Sequence, residues 1–562
     1  MTDDATNAPR SSPRNVADYL PLMAAERPDA VAMYIPKRSR SAAGRDYDEL
    51  TYRRLDERAE RIAAGLLRGG LEKGAHVALM VRPGEDFFAL MFGLFRAGLV
   101  PVLVDPGIGK KNLGVCLGRA KPVAFIGISV AHAARIALGW ARESVERNIT
   151  VGRRWFWGGD TLAMTERLGK KALAEGFALP DVRPEDPAAI LFTSGSTGPP
   201  KGVVYTHRNF MAQVEALRDM FGIEPGEVNL PTFPPFALFD PALGVTSVIP
   251  HMDPTRPADV DPCEVIEPVK RFGVTMMFGS PALLNTVGRH AEKHDVKLPS
   301  LRRVIAAGAP LPAATIERWQ GVLSDEARLY PPYGATECLP VACLPSDEIV
   351  RDTWPETERG AGVCVGRPVE RIRLEIIGIT DEAIAHFEDA EVLPEGEIGE
   401  IVVSGPMVTR SYFADAEHTA LAKMQDVDDA FWHRMGDLGW RDSAGRVWFC
   451  GRKAHRVVLE DKTLFTVPLE KVFDAHAQVF RTALVGPEVK GRVTPALCVE
   501  LEPGATIGRE DLEGELRTLG EAHEDAGRIE HFLVHAGFPV DIRHNAKIGR
   551  EELRRWAEGQ LG

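Results

Sequence analysis

Short apolar runs alternate with helical segments through the first part of the chain, and this alternation constrains the fold most. Strand-like runs occupy residues 76–81, 100–104, 123–127 and 188–194. Helical segments of about 12–20 residues separate them, as in crossover connections between parallel strands. From Glu397 onward short strands and turns take over, and the turn Asp442–Gly445 predicts a β-hairpin. The predicted fold class is α/β, with mixed and parallel sheets, helices and a β-barrel-like subdomain.

The chain is longer than one hydrophobic core normally supports. At 562 residues it is expected to form two or more domains. After Gly451 and Arg452, a segment of about 110 residues has strand and helix signals of its own. We therefore predict a large N-terminal domain over 1–452 and a small α+β C-terminal domain over 453–562.

Composition and charge exclude several classes of protein. Hydrophobic residues make up 44% and charged residues 26%, which excludes a disordered or collagenous chain. The 67 basic and 80 acidic side chains give a net charge of -13, so nucleic acid is not expected as a partner. The seven cysteines are scattered, which favours reduced thiols and a cytoplasmic location. The polar N-terminus does not resemble a secretory signal.

The most membrane-like stretch covers residues 87–104. Arg96, Gly98 and Pro101 interrupt it. Because a charge and a proline would be costly in lipid, a buried helix followed by a core strand is the better prediction. We expect no transmembrane segment.

The loop from Thr193 to Gly202 is rich in Ser, Thr and Gly and follows a strand-like run. Backbone N–H groups, hydroxyls and the charge of Lys201 suit a polyphosphate. The loop is not a Walker A motif, because Pro199 and Pro200 precede the lysine and Gly202 follows it. A flexible Ser/Gly linker is the alternative on composition alone.

The pentapeptide Tyr333–Glu337 combines an aromatic ring, a tight turn, a hydroxyl and a carboxylate. These groups could stack a base, contact a phosphate and hold magnesium. A tyrosine in a loop beside a surface glutamate is the alternative.

Six ordered segments give the chain a family resemblance over nearly its whole length. It resembles the adenylate-forming superfamily of acyl-CoA synthetases, luciferases and peptide-synthetase adenylation domains. The matching segments are TSGSTGPPKG (193–202) for the phosphate loop, AAGAPL (306–311) and YGATE (333–337) for the adenine site, MGDLG (435–439) for ribose, GRKAHR (451–456) for the interdomain hinge, and DIRHNAKIGR (541–550) for the catalytic lysine.

The resemblance implies a role for each matching residue, with ATP and Mg²⁺ as cofactors and a mobile C-terminal domain carrying the lysine. Thr336, Glu337 and Lys547 would be catalytic, and Glu337 would be the metal ligand. The nucleotide-binding set would be Thr193, Ser194, Gly195, Ser196, Thr197, Gly198 and Lys201 at the phosphates, Gly308, Ala309 and Tyr333 at adenine, and Asp437 and Arg452 at ribose.

The departures from the family pattern bear on the second half-reaction. Within the hinge, Ala454 stands two residues after the arginine, where the family usually has Asp or Lys. Leu459–Lys462 replaces a glycine-containing stretch that faces the CoA thiol in CoA ligases, and Asn545 and Ala546 precede the lysine. Glycine in a ligand tunnel allows close backbone approach, and Asp461 would add bulk and charge. Tolerated drift in a loop is the alternative.

These departures and the stretch 233–241 look most similar to the β-lactone synthetases of bacterial long-chain olefin biosynthesis. The resemblance implies a long-chain β-hydroxy acid as substrate, no use of CoA, and other enzymes of that pathway as potential partners. Phe233, Phe236 and Phe239 would line the acyl pocket, with core packing as the alternative. His207 and His455 could act as acid–base groups, although a lone histidine is more often structural.

Two other functions stay open. One is a long-chain fatty acyl-CoA ligase, which would form a thioester. The other is a regulatory nucleotide-binding protein that performs no chemistry.

Overall fold

The computed structural model describes residues 13–37, 44–193, 200–427, 430–521, 523–540 and 548–562. Six of the predicted site residues lie outside these ranges. They are Ser194, Gly195, Ser196, Thr197, Gly198 and Lys547.

The strands fall into three large sheets and several small ones. In chain order they are β1 (Val31–Pro36), β2 (Tyr47–Thr51), β3 (His76–Met80), β4 (Val100–Val104), β5 (Ala124–Ile128), β6 (Arg147–Val151), β7 (Asp160–Thr161), β8 (Pro187–Thr193), β9 (Lys201–Thr206), β10 (Val228–Pro231), β11 (Thr246–Val248), β12 (Met276–Gly279), β13 (Arg303–Ala306), β14 (Arg328–Tyr330), β15 (Tyr333–Ala335), β16 (Cys338–Cys343), β17 (Val363–Pro368), β18 (Arg373–Ile377), β19 (Gly399–Ser404), β20 (Lys423–Gln425), β21 (Phe431–Arg441), β22 (Val447–Arg452), β23 (Val457–Val458), β24 (Thr463–Leu464), β25 (Val479–Val485), β26 (Glu488–Val489), β27 (Arg492–Val493), β28 (Ala496–Leu501) and β29 (His531–Val534).

The α-helices mostly connect parallel strands. They are α1 (Tyr19–Glu26), α2 (Tyr52–Arg68), α3 (Glu85–Arg96), α4 (Lys110–Ala120), α5 (Ser129–Leu138), α6 (Leu162–Ala174), α7 (His207–Phe221), α8 (Asp240–Leu243), α9 (Cys263–Phe272), α10 (Pro281–Lys293), α11 (Ala313–Gln320), α12 (Ser346–Glu348), α13 (Trp354–Glu356), α14 (Ala416–Ala422), α15 (Thr466–Asp474), α16 (Arg509–Gly520) and α17 (Arg550–Leu561).

Two seven-stranded sheets form the larger part of the molecule. The first has the order β7-β6-β5-β3-β4-β8-β9 and is parallel except for β9. The second has the order β14-β13-β12-β10-β11-β1-β2 and is parallel except for β2. Helices connect most of their parallel strands, because a parallel pair needs a long crossover connection. The predicted α/β class is confirmed.

The third large sheet is antiparallel and lies where a β-barrel-like subdomain was predicted. Its order is β15-β16-β17-β22-β21-β19-β18, and β20 pairs with β21. The predicted hairpin is its β21–β22 pair, where Asp442 Oδ1 accepts N–H groups of Ala444 and Arg446 and so closes the turn.

The interior follows from helical and strand periodicity. Helix α2 buries Leu55, Ala59 and Ile62 on one face, and the Thr51 side chain caps its first turn. The stretch 87–104 forms most of helix α3 and strand β4, as predicted, and α3 is buried along most of its length. Among the described helices, none is both long and apolar enough to cross a bilayer.

Residues after 456 build a small unit with its own core. Strands β25, β28 and β29 form a mixed sheet, and helices α15, α16 and α17 pack against it around Phe473, Leu497 and Leu553. The linker before this unit is fixed to the larger part. Lys453 Nζ lies 3.1 Å from Glu400 Oε2, and Arg456 pairs with Asp381 at 2.6 Å. The predicted domain boundary between residues 452 and 453 stays a prediction. The separate hydrophobic core of the small unit supports it.

Candidate active site

Asp437 is the centre of a buried hydrogen-bond network on the antiparallel sheet. It lies opposite Arg452 across the β21–β22 pair, and Arg452 Nη1 donates to its Oδ1 at 2.7 Å. The Tyr333 hydroxyl donates to Oδ2 at 2.6 Å. Burial, together with the Asp437 charge, raises the pKa of Tyr333 well above its ordinary value, so the phenol stays a donor. Three residues predicted at the nucleoside therefore meet at one carboxylate.

Gly451 allows the strand before Arg452 to pass close to helix α15. Its φ is 120°, and a Cβ there would lie 2.4 Å from Thr466 Oγ1. Only glycine accepts both the conformation and the close contact. The register that places Arg452 opposite Asp437 thus depends on a residue with no side chain.

Glu337 forms a second polar cluster beside the first. The Tyr412 hydroxyl donates to its Oε1 at 2.7 Å, and the Thr409 N–H donates to its backbone carbonyl at 2.9 Å. The Tyr205 hydroxyl holds the neighbouring Thr336 carbonyl. Two tyrosines from different parts of the chain therefore fix the position of the Thr336–Glu337 turn.

Lys201 lies next to this carboxylate cluster. It begins strand β9, opposite Thr193 at the end of β8, so residues 194–200 join the two strands. Its Nζ lies 5.2 Å from the centroid of the Tyr412 ring. Burial lowers the pKa of Lys201, while Glu337 favours its charged form. The predicted phosphate lysine and the predicted metal carboxylate are neighbours.

Gly308 and Ala309 follow strand β13, and Tyr333 follows the adjacent strand β14. Since β13 and β14 are parallel, their carboxyl ends lie at the same edge of the sheet. Gly308 has a φ of 111°, which a side chain would disfavour, and its backbone is exposed. The loop predicted at adenine and the tyrosine predicted there thus share one edge.

Lys423 is a half-buried amine at this site that the sequence motifs do not identify. Its Nζ donates to the Thr409 carbonyl, and it lies opposite His433 in the β20–β21 pair. Burial lowers the pKa of Lys423 to about 7, opposed by the charge of Glu337. Only the strand register brings this lysine to Glu337, because nothing distinguishes it locally from a surface lysine.

The aromatic residues predicted to line a pocket pack together beside the Thr336 turn. Phe236 stacks on Phe278 with ring centroids 4.1 Å apart, and Phe233 meets Phe236 at 5.5 Å. Phe239 lies 6.3 Å from Phe210, which stacks on Tyr205 at 4.7 Å. All three predicted rings are only partly buried against the core.

The aromatic cluster lies on a short helix that begins with two prolines. Residues 234–238 form a short 3₁₀ helix rather than an α-helix. Pro234 and Pro235 at its start lack N–H donors, which suits the first turn of such a helix. Through Phe210 and Tyr205, the aromatic wall is continuous with the polar site.

The two histidines considered as acid–base groups lie in different places. His207 is fully buried beside Phe95 and has no hydrogen-bond partner for either ring nitrogen among the described residues. Burial lowers its pKa to about 4. Burial and the nearby charges of Arg550 and Arg452 lower the pKa of His455 to about 3. His455 is therefore near Arg452, whereas His207 packs against Phe95, which also contacts Phe210 of the aromatic cluster.

Glu337 is compatible with the Mg²⁺ that the family resemblance implies. Its Oε1 accepts the Tyr412 hydroxyl, while Oε2 has no hydrogen-bond partner within the described ranges. Those ranges contain no cluster of three or more metal-ligating side chains. Mg²⁺ usually takes one or two carboxylates together with substrate phosphates and waters. A single carboxylate oxygen near Lys201 fits that pattern.

The fold and this arrangement of groups define an AMP-binding enzyme. The model of that family matches residues 22–413, and the chain belongs to it. The predicted membership in the adenylate-forming enzymes is thereby confirmed.

Individual relatives extend the match to nearly the whole chain. It is 50% identical to the olefin beta-lactone synthetase of Xanthomonas campestris pv. campestris, covering 97% of this chain and 98% of that protein. It is also 50% identical to the olefin beta-lactone synthetase of Stenotrophomonas maltophilia, covering 98% and 99%. A long-chain-fatty-acid–CoA ligase of Salmonella typhimurium is 26% identical over 91% of each chain.

A solved structure shares the fold. The amide bond synthetase of Marinactinospora thermotolerans superposes with a TM-score of 0.77 at 23% identity, covering 96% of this chain and 99% of that one. At that identity the likeness concerns the fold alone.

Proposed function

We propose that this enzyme activates a long-chain β-hydroxy carboxylic acid with ATP and closes the acyl-adenylate to a β-lactone. The observation that carries the proposal is the 50% identity, over 97% of the chain, to an olefin beta-lactone synthetase. The CoA ligase relative, at 26%, is much more distant. In keeping with the resemblance to the β-lactone synthetases, we place the reaction within a pathway of long-chain olefin synthesis. We also place it in the cytoplasm.

The Asp437 network suits the nucleoside of ATP. Its carboxylate has about four lone-pair sites, and Tyr333 and Arg452 occupy two of them. The remaining sites can accept the two ribose hydroxyls. The ring of Tyr333, fixed through its hydroxyl, provides a face for adenine, with the backbone of Gly308 and Ala309 on the other side.

The first half-reaction brings two anions together. The substrate carboxylate attacks the α-phosphorus, and the bond from that phosphorus to pyrophosphate breaks. Lys201 offsets the charge of the phosphates, and Thr336 is positioned by Tyr205 to contact the α-phosphate. Mg²⁺ held by Glu337 would supply further charge compensation.

The remaining roles fall on residues outside the described ranges. Ser194 to Gly198 would donate to phosphate oxygens, and Lys547 would bridge the substrate carboxylate and the α-phosphate. These assignments follow the family motif and stay predictions.

The second half-reaction needs no external acceptor. The β-hydroxyl oxygen attacks the adenylate carbonyl carbon, the bond from that carbon to the AMP oxygen breaks, and the hydroxyl proton is released. Tethering the nucleophile to the electrophile supplies a large effective molarity, which helps to offset the strain of the four-membered ring. Phe233, Phe236 and Phe239 would hold the acyl chain.

The segment predicted to exclude CoA carries fixed charges. Residues 459–462 form the turn between β23 and β24, where Asp461 pairs with Arg528 at 2.8 Å and Lys462 pairs with Asp525 at 2.5 Å. A turn with charged side chains gives less room for a pantetheine arm than one with glycine. This supports the proposal that CoA is not the acceptor.

Mass spectrometry of the products tests the proposal. The enzyme is given ATP, Mg²⁺ and a racemic long-chain β-hydroxy acid, with and without CoA. We expect AMP and the β-lactone in equal yield under both conditions. A CoA thioester as the sole product would overturn the proposal in favour of an acyl-CoA ligase.

Two controls separate the half-reactions. A straight-chain acid without the β-hydroxyl should release pyrophosphate and form adenylate but no lactone. The Lys547→Ala variant should release little pyrophosphate with any acid. If wild type and this variant were equally silent with all acids, the regulatory alternative would gain support.

A further inference from the structure

Residues 106–159 have a charge opposite to that of the whole chain. They contain nine Lys and Arg but only two acidic residues, Glu143 and Glu146, whereas the chain carries a net charge of -13. From residue 106 to residue 142 there is no Asp or Glu at all. The total charge hides this basic region, which supplies strands β5 and β6 and helices α4 and α5.

An exposed apolar surface lies within the basic region, and we define the aromatic patch as Val130, Trp155 and Phe156. Phe156 is 80% exposed, Val130 is 64% exposed and Trp155 is 49% exposed. Ser129 Oγ donates to the Arg153 carbonyl at 2.5 Å, which joins the start of α5 to the loop after β6. Large apolar side chains exposed together usually mark an interaction surface.

The loop that carries the patch is anchored rather than loose. Trp157 stacks on His132 with centroids 5.2 Å apart, and its Nε1 donates to Thr150 Oγ1 at 2.9 Å. Arg154 donates to the Gly159 carbonyl and closes the loop. Trp157 thus holds the loop while its neighbours Trp155 and Phe156 stay exposed.

Basic and apolar groups surround the patch. Arg153 and Arg154 precede its two aromatic residues and are exposed, and no acidic residue lies between 147 and 159. Along α5, Ile136 and Leu138 are also exposed. Arginine beside tryptophan and phenylalanine is the combination that interacts with the headgroup region of an anionic bilayer.

The patch lies at the same sheet edge as the nucleotide site. Strands β5 and β6 run parallel to β8, so the patch, which follows β5 and β6, shares the carboxyl edge with residues that follow β8. Four strand spacings separate β6 from β8, which corresponds to roughly 19 Å. A flat surface that touched the patch would therefore face the edge where the phosphate loop begins.

We propose that the aromatic patch docks this enzyme on the surface of an anionic lipid bilayer. Trp155, Phe156 and Val130 enter the headgroup region, and Arg153 and Arg154 pair with lipid phosphates. Charge complementarity favours this occupant, because this region is basic although the chain as a whole is acidic, and a basic region attracts an anionic surface. The docking is independent of the proposed reaction, although a long-chain acid substrate would give it a use.

Sedimentation of the full-length protein with vesicles tests the docking. The probes are phosphatidylcholine vesicles and phosphatidylcholine vesicles that contain phosphatidylglycerol. We expect wild type to sediment with the anionic vesicles and to be released by high salt. The double variants Trp155→Ser/Phe156→Ser and Arg153→Gln/Arg154→Gln should each bind at least tenfold more weakly.

Matched controls come from exposed residues elsewhere. Phe480 is 41% exposed on the C-terminal sheet, and Arg509 is exposed at the start of α16. Phe480→Ser and Arg509→Gln should bind vesicles as wild type does. All variants should keep the wild-type melting temperature and pyrophosphate exchange with a water-soluble acid, which reports on the proposed reaction without lipid.

Three outcomes would overturn the docking proposal. One is wild type that fails to bind anionic vesicles, and another is a Trp155→Ser/Phe156→Ser variant that binds them as wild type does. The third is a patch that joins two copies of the chain in solution, seen as a dimer that this variant dissociates.

Discussion

The polar half of the site and its aromatic half are held together by different forces. In the polar half, Asp437 accepts bonds from Tyr333 and Arg452 at 2.6 and 2.7 Å. In the aromatic half, Phe236 lies on Phe278 through ring contact alone. Short charged hydrogen bonds tolerate little displacement, whereas apolar side chains can repack. Substitutions in the polar half should therefore affect every acid alike, and those in the aromatic half should change which acids are used.

The largest effect is expected for Asp437→Ala. The substitution leaves the Arg452 guanidinium and the Tyr333 hydroxyl without their shared acceptor and removes the group proposed to bind ribose. Loss of a preorganised polar contact of this kind typically costs about 10²–10³-fold in rate. ATP–pyrophosphate exchange should fall by that factor with all acids.

Asp442→Ala is the matched control on the same hairpin. Asp442 accepts bonds from Arg446 and Trp448 at the far end of the β21–β22 pair. The Asp442→Ala substitution should lower the melting temperature but should not cause the large loss of ATP–pyrophosphate exchange expected for Asp437→Ala. Equal loss of activity in both variants would show that the hairpin's stability, rather than the carboxylate at 437, limits the reaction.

A smaller and selective effect is expected for Phe236→Ala. The variant loses the stack on Phe278 at 4.1 Å and opens a space in the aromatic wall. We expect kcat/KM to fall about tenfold for acids that fill the pocket, in line with the roughly 1–3 kcal/mol carried by one apolar group. Short acids should lose less, so the comparison needs a series of chain lengths.

Phe387→Ala provides the control for stability. Phe387 stacks on Trp432 at 4.2 Å, away from the aromatic wall. It should reduce stability without changing the order of preference among acids. If Phe236→Ala also lowered activity equally for all chain lengths, the aromatic half would be core and the pocket assignment would be wrong.

Much of the fold could be predicted because local pattern and tertiary structure agree. The strands at 76–80 and 100–104 and the buried helix before the second of them carry their signal in short apolar runs. The order of strands within a sheet has no such local signal. It depends on pairing between distant segments, such as β1 with β11.

The site was predictable where chemistry fixes residue type and spacing. Asp437 and Arg452 occur in short motifs, so the sequence located them, although their mutual bond became visible only in the strand register. Lys423 could not be predicted as a site residue, because its contact with Thr409 depends on the pairing of β20 with β21. The catalytic roles of all these residues stay predictions.

Burial of the Lys423 amine in the polar half lowers the free energy of unfolding by an amount that depends on pH. Its pKa is about 7 in the folded protein and about 10.4 in an unfolded chain, so folding releases a proton between those pH values. The penalty is complete below pH 7 and vanishes above pH 10.4. The free energy of unfolding of wild type should therefore rise with pH relative to Lys423→Met, by at most about 1.4 kcal/mol per pH unit.

Urea denaturation of the metal-free protein from pH 7 to pH 9 measures this difference. Lys423→Arg serves as the control, because a guanidinium keeps its charge over the whole range. Its stability should show no such rise relative to Lys423→Met. Parallel curves for wild type and Lys423→Met would mean that Lys423 keeps its ordinary pKa and that the polar half folds without this penalty.

The smallest effect is expected at Asp461, in a turn that belongs to neither half. Its carboxylate is 63% exposed and pairs with Arg528, which is itself 39% exposed. Exposed ion pairs are usually worth less than about 1 kcal/mol, so Asp461→Gly should change the free energy of unfolding by no more than that. Lactone should remain the main product with CoA present, because the tethered hydroxyl needs no opening at this turn.

Glu460→Gly in the same turn isolates the contribution of position 461. It makes the same change of charge and backbone freedom but removes no ion pair to Arg528. A small thioester fraction that appears with Asp461→Gly and not with Glu460→Gly would show that the side chain at 461 helps to exclude CoA. Thioester as the main product of Asp461→Gly would be a stronger result. It would show that one surface residue determines whether CoA or the substrate's own hydroxyl attacks the adenylate, and it would contradict the expectation that the intramolecular attack outcompetes CoA.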